Sequence, residues 1–434
     1  MRKNNLNYLL LAFRNIGRHK VKTILTVAAI TIGITLFIYM DAFLLGMDID
    51  SKRNLVNYEI GAAKIYSQAY FEKKDEIPSY ESFTNYQPII KKLNEVGYNT
   101  AIHFVFTGIL FSAERDSPFM FIGIDPVMET TLFRYNNFVE KGEFIKDNEQ
   151  KIMLGAIGAK NLNVKVGDTV RLSTTIDRRN ERGIITHTNQ LIDLKVGAII
   201  NTPNPKTNGN IGYLPLSILQ DETGLMLGGH ITEICIRNKD AKDYDLPSDN
   251  ESPDVIKKAL GDKLPNELVL VDWQEDAKDF LAISTSKRGG ASIVLFLLII
   301  ITILGISNTM LMAIIERTKE IGMMRALGMT NSEIVILFIV EGGLIGAIGS
   351  GLGIIFGCII NIFMVNYGID FSQMMNSMGN MDLGYRVVSQ FKSAWNTSSI
   401  ITAGFLGVLV SMLSAIIPAR RSVKKSVSDD LRFE

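Results

Sequence analysis

GISNTMLMAIIERTKEIGMMRALGMT, residues 305–330, is the stretch from which the chain is best read. It opens as the end of an apolar run and passes into the charged residues Glu316, Arg317, Lys319 and Glu320. It then continues through Ile321, Met323, Met324, Ala326 and Leu327. Asn331–Glu333 are polar, and a second long apolar run begins at Ile334. A bilayer span needs about 20 mostly apolar residues, so a short amphipathic segment held between two such runs cannot cross. It lies at the surface and turns a face to the aqueous phase. An ordinary charged loop is the other reading of the same periodicity.

Outward from this stretch, Gly289–Ile315 carries no charge, Ile334–Tyr367 carries only Glu341, and Ala394–Ala419 carries none. Thr23–Met40 is also free of charge, and its apolar run resumes after Asp41 through Ala42–Met47. Four membrane helices are therefore predicted, at 23–48, 287–315, 334–367 and 394–417. The first is too long for the ~7–15-residue core of a signal peptide and lacks a small-residue cleavage site, so it reads as retained. Residues 1–22 contain LNYLLLAFRNI (Leu6–Ile16), which fits a helix lying in the interface or an extension of the first span.

Lys and Arg set the orientation. Arg2, Lys3, Arg14, Arg18, Lys20 and Lys22 precede the first span, and Arg420, Arg421, Lys424 and Lys425 follow the last. Arg317, Lys319 and Arg325 lie in the short segment after the second, whereas residues 368–393 hold only Arg386 and Lys392. The positive-inside rule places both termini, the 316–333 segment and the 418–434 tail in the cytoplasm. Residues 49–286 are then outside, in a bacterium the periplasm, and the protein is a multi-pass inner-membrane protein.

The chain has 434 residues, 47% of them hydrophobic, and no net formal charge. Neutrality argues against a nucleic-acid footprint. Cys235 and Cys358 lie in unlike surroundings, so no disulfide is expected. His19, His103, His187 and His230 are scattered without metal-ligand spacing and read as isolated surface or turn residues, with no metal expected. No GxxxxGK[ST], GxSxG, HExxH or CxxC is present, so no P-loop or catalytic residue is assigned and the chain is not read as an enzyme.

Residues 49–286 are long enough to bury a core. Strands are predicted at the end of 57–67, at 101–112, 118–123 and 193–200, in VKVGDTVRL, and at 231–236 and 268–271. Helices are predicted at 86–96, 151–162 and 254–260. Residues 272–287 read as a helix returning to the membrane. In the third span, Gly349, Gly353 and Gly357 share one face and Gly342 and Gly346 form a second pair. Small residues so spaced let helix backbones approach closely in lipid, here against a neighbouring helix of the same chain rather than in a dimer. Glu341 is costly there unless paired or wet. It reads as a proton or substrate site, a headgroup-level residue or a partner of a neighbouring helix.

IIERTKEIGMMRALGMT (314–330) closely resembles the segment between the second and third membrane helices of the FtsX/MacB superfamily of ABC-transporter permeases. FIGIDP (121–126), the LG…A…L…VGD pattern across Ile152–Leu172, and IIPARRSVKKSV…LR at the tail extend the resemblance over most of the chain. The chain is most like the lipoprotein-releasing (LolC/LolE-type) permease subunits. It departs from MacB itself, which carries its ATPase on the same chain. The resemblance implies four transmembrane helices plus a large α+β two-lobed periplasmic domain between helices 1 and 2.

It also implies the partners: a cytoplasmic ABC ATPase dimer holding the ATP and Mg, a second permease as homo- or heterodimer, a lipoprotein substrate, a periplasmic carrier and membrane lipids. No cofactor is implied on this chain. Residues 316–333 become the coupling helix, with Glu316, Arg317, Lys319, Glu320, Ile321, Gly322, Met324, Arg325 and Gly328 as the ATPase-coupling set. An acyl anchor needs an apolar cleft, for which Phe37, Met40, Phe43, Leu44 and Met47 are expected to face Ile293, Phe296, Leu297 and Ile300; ordinary helix packing or lipid contact is the other reading of these residues. After VGDTVRL, residues 174–190 read as a protruding hairpin, either an arm on which Arg178, Arg179 and Arg182 steer an acidic carrier or a plain solvated hairpin. The expected function is ATP-driven extraction of lipoproteins from the outer leaflet and their transfer to the carrier. MacB-like export of peptides or drugs, or FtsX-like regulation of cell-wall hydrolysis, are the alternatives.

Overall fold

A computed structural model describes residues 11–14, 20–179, 185–221, 228–242, 245–370 and 390–423. The chain runs through helix α1 (Lys20–Leu55), a short π-helical turn at Val56–Ile60, and then strand β1 (Ala63–Ser67). Gly61 makes that entry with φ +83°, and a Cβ there would stand 2.9 Å from the Ile236 carbonyl oxygen, so the turn needs glycine. Of the predicted interfacial helix only Leu11–Arg14 fall among the described residues, and they are helical. Most of the basic tail, 424–434, lies outside them, as do 371–389 of the predicted 368–393 loop.

The segment between the first and second membrane helices builds one ten-stranded sheet. After β1 come helix α2 (Gln87–Val96), β2 (Tyr98–Phe111), β3 (Asp116–Ile124), helix α3 (Pro126–Leu132) and β4 (Val139–Gly142). These are followed by β5 (Lys151–Gly155), β6 (Thr169–Arg179), β7 (Ile185–Ile200), β8 (Ile211–Pro215), β9 (Glu233–Asn238), helix α4 (Pro253–Leu260) and β10 (Leu268–Asp272). The order is β10-β1-β9-β2-β3-β8-β5-β7-β4, with β6 pairing β2 and β7. Strands from the two ends of the segment thus sit together, and those from its middle continue the sheet through the β2–β3 ladder. Hydrogen bonding therefore runs through the domain without a break, so it does not by itself divide the strands into the two lobes expected.

Side chains alternate across the sheet. Ala63 and Ile65 of β1 join Ile89 and Leu93 of α2 and Ile256 and Leu260 of α4 in the main core. Lys64 and Tyr66 take the other parity. The residues 151–162, predicted as one helix, divide into β5 and a helix at Ala156–Leu162: Ile152, Met153 and Leu154 are all buried, as a central strand requires. The short strands β4 and β8 were not anticipated. Helix 272–287 is also interrupted, ending at Asp276 before α5 (Lys278–Glu316) begins. At this end Leu55, Val56 and Ile60 pack with Trp273 and Ala277, and Ser284 donates to Asp48 at 2.6 Å.

α5 is followed by the nine-residue helix α6 (Thr318–Ala326), α7 (Asn331–Asn366) and α8 (Thr397–Ser422). α1, α5, α7 and α8 are long and apolar enough to cross a membrane. The glycine face of α7 packs within the chain: Cβ atoms at Gly349 and Gly353 would meet the Ile30 and Ile34 Cβ atoms of α1 at 2.8 and 2.7 Å. The α7 carbonyls at these positions accept from Thr31 and Thr35 at 3.1 and 3.2 Å. Gly342 and Gly346 face Ser411 and Ala415 of α8.

Candidate functional site

The segment predicted to be the coupling helix is defined by its two ends. α5 stops at Glu316, and Arg317 leaves helical geometry as the residue before α6. α6 closes at Gly328, where φ is +98° and the amide donates to the Arg325 carbonyl at 3.0 Å, while Met329 donates to Met324. Two residues later Thr330 and Glu333 form a reciprocal capping box that starts α7. Arg317, which leaves helical geometry, and Gly328 with the Thr330–Glu333 box are the two breaks by which three helices, not one, occupy 278–366.

Arg317 is the residue that holds α6 in place. It is 5% exposed, and its Nη1 donates to both Glu341 carboxylate oxygens of α7 at 2.9 and 3.0 Å. Its Nε donates to Glu320 at 3.0 Å, and its guanidinium lies over the Phe338 ring at 5.4 Å. Such a planar, multiply bonded guanidinium is preorganised, and Lys could not replace it. The partner of Glu341 is thus this arginine. Ile321 is buried with Ile314, Ile334 and Phe338, and Gly322 is buried beside it.

Three members of the predicted ATPase-coupling set, Arg317, Ile321 and Gly322, therefore turn inward. Glu320, Met324 and Arg325 are half-buried, and Glu316, Lys319 and Gly328 are exposed. Sequence reasoning passed over the two most outward apolar residues, Met323 (52% exposed) and Leu327 (88% exposed). Their signal was there: an apolar residue four positions on, facing opposite to Ile321, on a helix too short to have two buried faces.

A second constellation lies in the sheet domain. Lys64, His103, Glu233 and Cys235 stand on neighbouring strands β1, β2 and β9, and all are buried. Glu233 Oε1 accepts from Lys64 Nζ and from His103 Nδ1, each at 2.8 Å. His103 Nε2 lies 3.0 Å from Glu129 Oε2, and Cys235 Sγ lies 3.6 Å from Nδ1 and 3.7 Å from Glu233 Oε1. The FIGIDP turn positions Glu129: Asp125 caps α3 by accepting from the Val127 and Met128 amides, and Glu129 follows one turn on, fully buried.

Charges so deep must be paired. Burial alone would push Glu233 up, but Lys64 and His103 hold its carboxyl well below the usual range. Burial opposes protonation of His103, yet Cys235 and Glu129 beside it raise it well above the ordinary value. Burial pushes the Cys235 thiol up. His103 is therefore not the isolated surface or turn histidine expected. Ionisable residues at alternate positions of apolar strands, as in TEICIR, were the legible hint. A cavity of about 510 Å³ opens over this face, lined by Lys64, His103 and Glu233 and by apolar residues such as Val105, Ile122 and Ile211.

Residues 23–246 match the MacB-like periplasmic core domain, and residues 292–427 match the FtsX-like permease C-terminal region. The chain belongs to the MacB/FtsX family of ABC-transporter permeases. It is 24% identical over 98% of its length, and 97% of the relative's, to an uncharacterized ABC transporter permease of Methanocaldococcus jannaschii. It is 22% identical over 84% of both chains to the lipoprotein-releasing system transmembrane protein LolC of Haemophilus influenzae. It is also 27% identical to the macrolide export ATP-binding/permease protein MacB of a Shewanella strain, over 38% of this chain and 25% of that one. As a member of this family it is a multi-pass membrane protein with a periplasmic-type domain and a permease component of an ABC transporter. Membership implies an ATPase partner and a permease partner.

The other predicted sites of this permease are only partly assembled. Phe37, Ile299 and Ile303 pack against the same membrane-helix core, and Phe37, Ile299, Thr302 and Ile306 line a small apolar crevice. Met40, Phe43, Leu44 and Met47 are half-buried, and Phe43 stacks on Tyr39. Ile293, Phe296, Leu297 and Ile300 do not face α1 in this chain. They are 63%, 61%, 52% and 36% exposed, because the stripe that α5 turns to α1 is the one containing Ile299, Thr302 and Ile306. The period of 3.6 residues allowed both stripes, and packing chose.

The hairpin is present. β6 and β7 pair from Thr169↔Lys195 to Arg179↔Ile185, and β2 joins β6 only at Arg171–Thr174. Near its base Arg171 and Asp193 form an exposed bidentate pair at 2.6 and 2.9 Å. Arg178 and Arg179 lie on the outer ladder, opposite Thr186 and Ile185. Arg182 lies outside the described residues.

Proposed function

We propose that this chain is a permease subunit of a mechanotransmitting ABC complex that extracts lipoproteins from the outer leaflet of the inner membrane and passes them to a periplasmic carrier. ATP hydrolysis belongs to a separate ATPase dimer with its ATP and Mg, and this chain pairs with itself or with a second, related permease. Both termini and α6 lie in the cytoplasm, in keeping with the lysine and arginine distribution. The observation that carries the reading is α6 itself. It is clamped to α7 by Arg317 and Glu341, and it turns Lys319, Met323 and Leu327 outward.

The mechanism follows from what is rigid. A push on α6 reaches α7 through a buried ion pair, not through a flexible loop. α7 lies against α1 with glycine-close contact, so the two helices move as one body. α1 runs on to Leu55 and the chain enters β1 through Gly61. A helix holds its length, so a shift at one end is delivered at the other. The exposed stripe Ile293, Phe296, Leu297 and Ile300 would supply this chain's half of an acyl-chain cleft toward the second permease.

The likeness to LolC over most of the chain favours lipoprotein release. The match of the sheet domain to a MacB-like core favours a second reading, export of a peptide or drug from the periplasm. The test is reconstitution of the chain with its ATPase in vesicles. Met323→Asp with Leu327→Asp should lower stimulated ATP turnover at least about tenfold, ~1.4 kcal/mol of docking or coupling, and abolish transfer of a triacylated lipoprotein to carrier. Normal turnover and transfer would sink the coupling role. Transport of a macrolide or peptide without lipoprotein transfer would establish the second reading instead.

A further inference from the structure

We propose that His103, Glu233 and Cys235 form a binding site for a borderline divalent cation, zinc above all, in the floor of the sheet-domain cavity. The ligand atoms of the three residues all lie within 4.8 Å of one another. Zinc bonds of ~2.0–2.3 Å in a tetrahedron imply ligand–ligand separations of roughly 3.3–3.7 Å. Nδ1 to Sγ is 3.6 Å and Sγ to Oε1 is 3.7 Å, already at that spacing. The Nδ1–Oε1 separation of 2.8 Å is a hydrogen bond and must open by about half an ångström when an ion takes its place.

Three further features fit an ion. Glu129 Oε2 sits 3.0 Å from His103 Nε2, the carboxylate–histidine arrangement that orients a metal-binding imidazole and raises its basicity. The other Glu129 oxygen, Oε1, is buried without a hydrogen-bond partner among the described residues, so Glu129 serves the imidazole and little else. Charge also balances. Carboxylates at both ring nitrogens mean that both carry hydrogen in the metal-free cluster, and Cys235 carries its thiol proton. A divalent ion that displaces the Nδ1 proton and the Sγ proton, releasing both to water, leaves the buried net charge unchanged. The thiolate and imidazole favour zinc over calcium or magnesium, which prefer all-oxygen sites.

Three protein ligands leave the fourth position open, and His103 and Glu233 border the cavity, so that position faces water or a donor atom of a bound molecule. Lys64 shares Glu233 Oε1 with the ion and opposes it by charge. Lys64→Met should therefore tighten binding. The site stands apart from the lipoprotein reading and survives its failure.

The experiment uses the full chain, solubilised in detergent without a polyhistidine tag, incubated with zinc and dialysed. Elemental analysis should find about one zinc per chain. Cobalt should give the intense visible bands of a four-coordinate site and a thiolate charge-transfer band in the near ultraviolet. Cys235→Ser should abolish the charge-transfer band, His103→Gln should abolish stoichiometric zinc, and Glu129→Gln should weaken binding about 10–100-fold. Because His103→Gln could unfold the domain, Cys235→Ser is read alongside a thermal melt of each variant. A substoichiometric zinc content in the parent chain, a cobalt spectrum without thiolate charge transfer, or Cys235→Ser and Glu129→Gln proteins that bind as tightly as the parent would each overturn the site.

Discussion

Arg317 shows how one side chain can tie a short helix to the long helix that follows it. Its guanidinium leaves water to meet Glu341, and the desolvation is repaid only because Glu320 and the Phe338 ring complete its surroundings. Arg317→Ala strands the Glu341 carboxylate and should cost about 3–5 kcal/mol, whereas Arg317→Met with Glu341→Leu should cost far less, since it removes both charges. A double-mutant cycle on thermal unfolding in detergent checks this. Equal losses in the single and double variants would mean that the pair is not the clamp. Stimulated ATP turnover should separate the two: the double variant folds but transmits poorly if the ion pair is what ties α6 to α7. The sequence marked Glu341 as an ionisable group that needed a partner. It could not name Arg317, because 24 residues and a helix reversal separate them.

At the scale of elements, the glycines of α7 make a sharp comparison. Gly353 has Ile34 Cβ and the Thr31 carbonyl oxygen within 2.7 and 3.0 Å of a would-be Cβ, and neither backbone nor β-carbon can step aside. Gly353→Leu should prise α1 from α7 and lower stability by at least ~1–3 kcal/mol. Gly351, on the other side of the same helix, meets nothing within 4 Å. Gly351→Ala should be neutral or stabilise by up to ~1 kcal/mol through helix propensity. Melting temperatures of the two variants in one detergent decide it, and similar losses would refute the packing account.

The β6–β7 ribbon offers the second test at this scale. Past Thr174 the ladder is two-stranded, so the sheet contributes no further pairing to the outer end. Shortening 177–183 to a two-residue turn should leave stimulated ATP turnover intact and reduce carrier capture. Capture that is unchanged at low and high salt would reduce the ribbon to a surface hairpin.

For the whole molecule the decisive prediction is topology. Leu327 and Val127 are 88% and 73% exposed, while the native Cys235 is buried and Cys358 is half-buried. In a Cys358→Ser background, a membrane-impermeant maleimide should label Val127→Cys on intact spheroplasts. It should label Leu327→Cys only after permeabilisation. The reverse pattern would invert the orientation and remove the ATPase-docking role from α6.

The family was legible as a resemblance carried by contiguous motifs, and the four apolar runs and the place of the short helix α6 were legible because they rest on local physics. Apolar runs match a bilayer, Gly328 and the Thr330–Glu333 box punctuate helices, and small residues at a spacing of four mark a close helix contact. What depended on distant pairing was not legible. Which stripe of α5 meets α1, which residues of α6 turn inward, and where Glu341 finds its charge all follow from packing between helices far apart in the chain. The buried cluster is the clearest case. His103, Glu233 and Cys235 come together only because β2 and β9 are neighbours across 130 residues. In the sequence each is one polar residue in an apolar strand. The register of two strands, which no local preference specifies, decides that they meet in one buried cluster.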